Sequence, residues 1–200
     1  MFKAQLKFQK ILSYVLLGVF ALFFIYSLSI MTHVYRTLYF AYDPDLELPE
    51  LGLSGEHVKG AKLFYDMQPF NQALVACAIV MIVVAVTYFL TASNARRKYY
   101  VSNYVSAGLI AATDIGIAVY SIIGIVKYRA LYLQVDFEAL KAYNEPKGLP
   151  YSVSTFWFDI GFVVCILLVA TAALVIFNAI WKTRLMKKEN QLLTGVGGIN

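Results

Sequence analysis

The chain is predicted to fold as an all-α integral membrane protein, a bundle of four transmembrane helices with both termini cytoplasmic and two partly structured extracytoplasmic loops. Three observations carry that prediction. Hydrophobic residues make up 60% and charged residues 14% of the 200 positions, whereas soluble domains are about half apolar and about a quarter charged. Four runs, about 11–33, 70–93, 101–127 and 153–181, lack interior charge or nearly so. Each exceeds the ~20 residues, at ~1.5 Å rise, that a ~30 Å hydrocarbon layer requires. Finally, the charges sort by segment. Ten of the seventeen cations stand beside span ends, as Lys3, Lys7 and Lys10, then Arg96, Arg97 and Lys98, then Lys182, Arg184, Lys187 and Lys188, with Glu189 the one acid among them. The two connections at 34–69 and 128–152 hold nine acids: Asp43, Asp45, Glu47, Glu50, Glu56 and Asp66, then Asp136, Glu138 and Glu145. The positive-inside rule then places both ends and the Arg96 turn in the cytoplasm of a plasma or inner membrane, and both long connections outside. The net charge of +5 is accounted for by this topology, so no nucleic-acid partner is inferred from it.

The N-terminal MFKAQLKFQK puts Phe2, Leu6 and Ile11 near one face and suits a short interfacial lead with anchoring lysines. The following run is longer than the ~7 to 15 apolar residues of a secretory signal, so it is read as a retained first span, mostly lipid-facing or loosely packed. In the first outer loop, Pro44 and Pro49 break the chain where Asp45, Glu47 and Glu50 alternate with Leu46, Leu48 and Leu51, which predicts an extended piece. From Ser54 to Met67 the pattern predicts an amphipathic helix with Ser54 as N-cap, weakened by Gly60. Spans two and three, joined by the short Arg96 turn, are expected to be antiparallel neighbours. Gly108, Ala112 and Gly116 in span three are small residues four apart, which admits a close neighbour and predicts a central position for this span. In the second loop a helix is expected from an Asp136 N-cap to about Tyr143, ending at Asn144, Pro146 and Gly148. An aromatic collar of Tyr151, Phe156, Trp157 and Phe158 opens span four. The tail from about 190 to 200 loses periodicity and is expected to be disordered.

An internal repeat organises the chain. IYSLSIMTHVYRTLY (25–39) and VYSIIGIVKYRALY (119–132) pair Tyr26 with Tyr120, Ser27 with Ser121, Tyr35 with Tyr128, Arg36 with Arg129 and Tyr39 with Tyr132. The spans that follow align at one constant offset, with Phe70 on Phe158, Asn71 on Asp159 and Cys77 on Cys165. Two parallel-repeat hairpins related by an axis along the membrane normal fit this pattern. Tyr35, Arg36, Tyr39, Tyr128, Arg129 and Tyr132 then form a candidate outer surface, read either as a binding face or as interfacial anchoring by Tyr and snorkelling Arg.

Intramembrane acids default to functional candidates because they are costly there. Asp114 lies near the middle of span three and Asp159 near the outer end of span four, too far apart in depth to form a carboxylate pair. Asp114 is read either as a proton or ion site or as a lone buried acid bonded to a neighbour's hydroxyl or carbonyl. Asp159 lies at about the depth of Tyr120, Ser121 and Lys127, its repeat mate Asn71 at that of Tyr26 and Ser27, and a structural hydrogen bond or ion pair is expected for Asp159. His33 and His57 lie outside the bundle, so no haem is expected. No Glu-x-x-His pattern suggests a metal. No base stands within helical reach of the span-three serines, so no catalytic residue and no cofactor are assigned. Cys77 and Cys165 fall within spans and read as small hydrophobes.

These readings predict a non-catalytic membrane subunit or scaffold. It would bind membrane lipid and either other membrane subunits or further copies of itself, through transmembrane faces and outer loops. The alternative is a small transporter or channel component that uses Asp114, and enzymatic activity has least support. The four-span arrangement is shared by claudin-like and tetraspanin-like proteins, but the loop cysteines of those groups are missing and no family is assigned.

Overall fold

The computed structural model describes residues 2–33, 36–93 and 100–196. It is mostly helical, in the order α1 (Phe2–His33), α2 (Arg36–Tyr39), β1 (Tyr42–Leu48), a 3-10 turn (Pro49–Leu51), β2 (Leu53–Glu56), α3 (Leu63–Asp66), α4 (Gln68–Ser93), α5 (Tyr100–Tyr132), α6 (Phe137–Asn144), a second 3-10 turn (Glu145–Lys147) and α7 (Phe156–Val196). Among the described residues, four helical segments are long and apolar enough to cross a membrane: Lys3–Ser29, Leu63–Ala92, Asn103–Tyr132 and Phe156–Leu192.

Local chemistry explains the ends of these helices. Pro69 stands in the first turn of α4, where its missing N–H leaves no bond unmade. Asp136 caps α6 as expected, its carboxylate accepting from the Ala139 amide at 2.9 Å. At the head of α7, Ser154 Oγ accepts from the Phe156 amide at 3.2 Å and Thr155 Oγ1 donates to Asp159 Oδ2 at 3.0 Å. Along α5 the buried positions include Asn103, Ser106, Ala107, Ile110, Asp114, Ala118, Ser121, Ile125, Tyr128 and Tyr132. Spacings of three and four keep these positions on one face of the helix.

Three expectations change. The segment from Ser54 is not an amphipathic helix, because β2 occupies 53–56 and pairs antiparallel with β1 in the register Tyr42 to Glu56, Glu47 to Ser54 and Leu48 to Leu53. Gly55 and Gly60 adopt φ of +66° and +88°, in the left-handed region that stops a helix and favours glycine. The N-terminal lead belongs to α1 itself, and its buried face is polar, with Gln5 and Gln9 buried while Ile11 is exposed. Of the apolar window of span one 44% is buried within the fold, against 33% for span three. Residues 190–196, expected to be disordered, continue α7. Residues 197–200, Tyr35 and the Arg96 turn lie outside the described residues.

The chain divides into two compact units: Met1–Ala21 with Ile79–Ala118 and Ile166–Asn200, and Leu22–Ala78 with Val119–Cys165. In the first, aromatic contacts join α1 to α7 and α4. Phe8 meets Phe177 at 6.1 Å and Trp181 at 5.9 Å, and Tyr14 meets Phe89 at 5.4 Å.

The second unit contains both long connections, and they interlock. The Asp136 amide donates to Lys59 O at 3.2 Å, Tyr128 OH to Asp66 O at 3.1 Å, and Asn144 Nδ2 to Thr37 O at 2.9 Å. His57 stacks on Tyr143 at 5.3 Å. Below them, Phe70 packs against the backbone of Gly124 and beside Tyr120 and Tyr128, while Tyr26 packs against Gly161.

Candidate functional site

The first unit holds a chain of buried polar side chains inside its four helices. Asp114 of α5 is fully buried, and Thr171 Oγ1 of α7 stands 3.0 Å from its Oδ2. That hydroxyl has one proton and three acceptors in range, because Leu167 O and Leu168 O lie at 3.1 and 2.8 Å. Asp114 Oδ1 is buried with no hydrogen-bond partner. An ungratified buried oxygen normally carries a cost, which singles this atom out.

One helical face farther along α7, seven residues on, Asn178 joins three helices. Its Oδ1 accepts from Gln5 Nε2 at 2.9 Å, and its Nδ2 donates to Tyr88 OH at 2.9 Å and stands 3.4 Å from Gln9 Oε1. Gln5 also donates to Gln9 Oε1 at 3.0 Å. A further turn along, Lys182 Nζ donates to Asn103 Oδ1 at 2.8 Å, and Asn103 Nδ2 donates to Thr91 Oγ1 at 3.3 Å. The Lys182 ammonium also lies 4.9 Å from the Tyr104 ring centroid, within the range of a cation–π contact. Sequence reading missed Gln5, Gln9, Asn103, Asn178 and Thr171, and it counted Lys182 only as a charge beside a span. The signal was present in the spacing of Thr171, Asn178 and Lys182 at seven and four residues, which keeps them on one helix face.

In the second unit, Asp159, its repeat mate Asn71 and the residues near their depths have different environments. Asp159 is largely exposed and faces Arg129 Nε at 3.6 Å, an ion pair longer than a hydrogen bond and worth at most about 1 kcal/mol at such a surface. Tyr120 is exposed, with its ring 5.5 Å from that of Phe70. Ser121 is buried beside the Cys165 thiol, and Asn71 Oδ1 and Tyr26 OH have no hydrogen-bond partner.

The Tyr-Arg copies also occupy unlike settings. Arg36 is exposed, and Tyr39 is exposed beside Phe64 at 5.2 Å and Tyr65 at 6.1 Å. Tyr132 is instead fully buried, with its hydroxyl donating to Ser152 O at 3.0 Å, and Tyr128 is buried with its hydroxyl on Asp66 O. Burying Tyr hydroxyls on loop carbonyls makes the second copy a fastener between helix and loop, while the first presents its ring and guanidinium to the surface.

The hairpin is held by one charged clamp. Lys62 Nζ and Tyr42 OH both donate to Glu47. The Lys62 bond foremost, then the Tyr42 bond, holds the Glu47 carboxyl below its ordinary 4.5, and the same contacts raise Lys62 above 10.5 and Tyr42 above 10.0. Among the described residues no three His, Cys, Asp or Glu side chains converge to hold a metal ion. Cys77 and Cys165 are free thiols.

In comparisons with family models, curated proteins and solved structures, the chain matches none of them.

Proposed function

We propose that this protein is a non-catalytic integral membrane subunit or scaffold of a larger membrane assembly. It binds its partners through transmembrane faces and through its two long connections. Both termini and the Arg96 turn are cytoplasmic and the connections lie outside, in a plasma or inner membrane. One observation carries the reading: the connections are ordered into an interlocked cap, tied by Asp136 to Lys59, Tyr128 to Asp66 and Asn144 to Thr37. A surface fixed before binding loses less conformational entropy on docking, which is the economy expected of a recognition platform. The basic residues at Lys3, Lys7, Lys10, Lys187 and Lys188 support the orientation. The aligned sequence copies support two parallel-repeat hairpins, although Tyr39 and Tyr132 differ in burial. The test is gentle-detergent purification of the tagged full chain from its native membrane. A stoichiometric membrane partner, or a defined homo-oligomer, is expected, and a lone monomer sinks the reading. Impermeant maleimide should label Glu47→Cys and Lys187→Cys from opposite sides of the membrane.

The unpartnered Oδ1 of Asp114 favours a second reading, a small transporter or channel component in which this carboxyl takes up an ion or proton. Asp114→Asn separates the two. Lost flux in reconstituted vesicles with assembly intact favours transport, whereas lost assembly with no flux in the unaltered protein favours the subunit.

A further inference from the structure

The β1–β2 hairpin presents a cluster of exposed leucines. Leu48 pairs with Leu53 across the ladder, so these two project from one face, and Leu46 stands exposed two residues before Leu48. Leu51 at the turn is 72% exposed and Leu46, Leu48 and Leu53 are between 43% and 51% exposed. Glu47 points the other way, into its clamp with Lys62 and Tyr42. Gly55 lies against the backbone of Asp43, so the strands are held close and the leucines stay turned outward. The hairpin lies between the candidate spans rather than within one, so the leucines are not part of an apolar span.

The fringe of this patch is mainly acidic. Asp43, Asp45, Glu50 and Glu56 lie on the hairpin, and no Lys or Arg occurs from residue 37 to residue 58, while the nearby Lys62 is held by Glu47. Surfaces that settle on anionic bilayers carry Lys and Arg around their apolar face, which is the opposite arrangement. Beside Leu46 and Leu53 opens a cleft of about 320 Å3 whose wall includes Glu56 and His57. Its shape and charge suit a long basic side chain, with the aliphatic stem along the leucines and the charged end toward Glu56.

We infer that the hairpin is a docking surface for a protein segment that presents an apolar patch ringed by lysine or arginine. This deepens the subunit reading and rests on it. Electrostatic complementarity sets the choice of partner and the encounter rate, and the leucines supply the dry centre of the contact.

The test replaces Leu51 with photoreactive benzoylphenylalanine in the full chain, in its native membrane, and sequences the cross-linked peptides. Cross-links to a peptide of net positive charge are expected, with yields that fall severalfold in Asp45→Lys/Glu50→Lys and in Leu48→Ser/Leu53→Ser. The charge-reversal variant keeps every leucine, so its loss of yield does not require the hairpin to unfold. Cross-links to lipid alone, to a neutral or acidic peptide, or none at all overturn the inference, as does a yield indifferent to charge reversal. If a stoichiometric partner co-purifies while no basic peptide is cross-linked, this inference fails and the subunit reading stands. A basic cross-link with no co-purifying partner or homo-oligomer keeps the docking surface and removes the permanent subunit.

Discussion

Lys182 and Asn103 meet inside the first unit, with the ammonium donating to the side-chain carbonyl at 2.8 Å and both residues more than nine-tenths buried. A buried charge needs its acceptors, so removing the acceptor is worse than removing the charge. Asn103→Ala is expected to cost on the order of 2 kcal/mol. Lys182→Met should cost less, and the double variant less than the two together because the residues share one interaction. Denaturant titration of the detergent-solubilised protein measures all three, and a larger loss for Lys182→Met contradicts the assignment.

Thr171 is the hydrogen-bonded neighbour of Asp114 in the bundle interior. Interhelical hydrogen bonds in membranes average below 1 kcal/mol, because the dissociated helices find other partners. Thr171→Val should therefore lower stability by about 1 kcal/mol, and Thr171→Ser should restore most of it. Thermal unfolding in detergent reports the difference, and a Thr171→Val protein as stable as the parent removes the pair from the account.

Two sets of glycines should behave oppositely. A methyl at Gly161 meets the Tyr26 hydroxyl and comes within 2.6 Å of Ile125 Cδ1, and one at Gly124 overlaps the Phe70 ring. Gly161→Ala is expected to destabilise by about 1 to 3 kcal/mol through overpacking. Gly108 and Gly116 have nothing within 4 Å of an added methyl, so alanine there should be neutral or gain up to about 1 kcal/mol from helix propensity. Size-exclusion chromatography of Gly116→Leu adds a control, since a shifted oligomer would mean that this face packs on another chain.

The Glu47 clamp should make hairpin order depend on pH at both extremes. Glu47 is lowered from 4.5, so its contribution is complete above that value and is lost as pH falls through the depressed one. Lys62 is raised from 10.5, so its contribution is complete below that value and is lost as pH rises through the elevated one. Amide exchange at Leu48 and Leu53 should reflect a stable hairpin between these limits, after correction for intrinsic rates. Glu47→Gln should abolish the acid-side loosening, and an acid limb unchanged in that variant would assign it elsewhere.

What could be read in the sequence followed from solvent and from local chemistry. Lipid requires some twenty consecutive apolar residues to satisfy the backbone inside a helix, so the four long helices were visible as runs. The α6 boundary was visible because Asp136 caps a helix whatever surrounds it. The alternation of acids and leucines from Asp45 to Leu51 signalled extended chain, but the strand at 53–56 depended on a partner two turns away in the hairpin.

The facing of each helix was decided only by tertiary structure. The helices are apolar on nearly every side, and lipid tails resemble a protein core in polarity, so periodicity carries little information about which side is buried. The close approach therefore falls at Gly124 and Gly161 while the more regular Gly108, Ala112 and Gly116 stripe faces outward. For the same reason Gln5, Asn103 and Asn178 could be recognised as interior groups only when four separate helices brought their hydrogen-bond partners together.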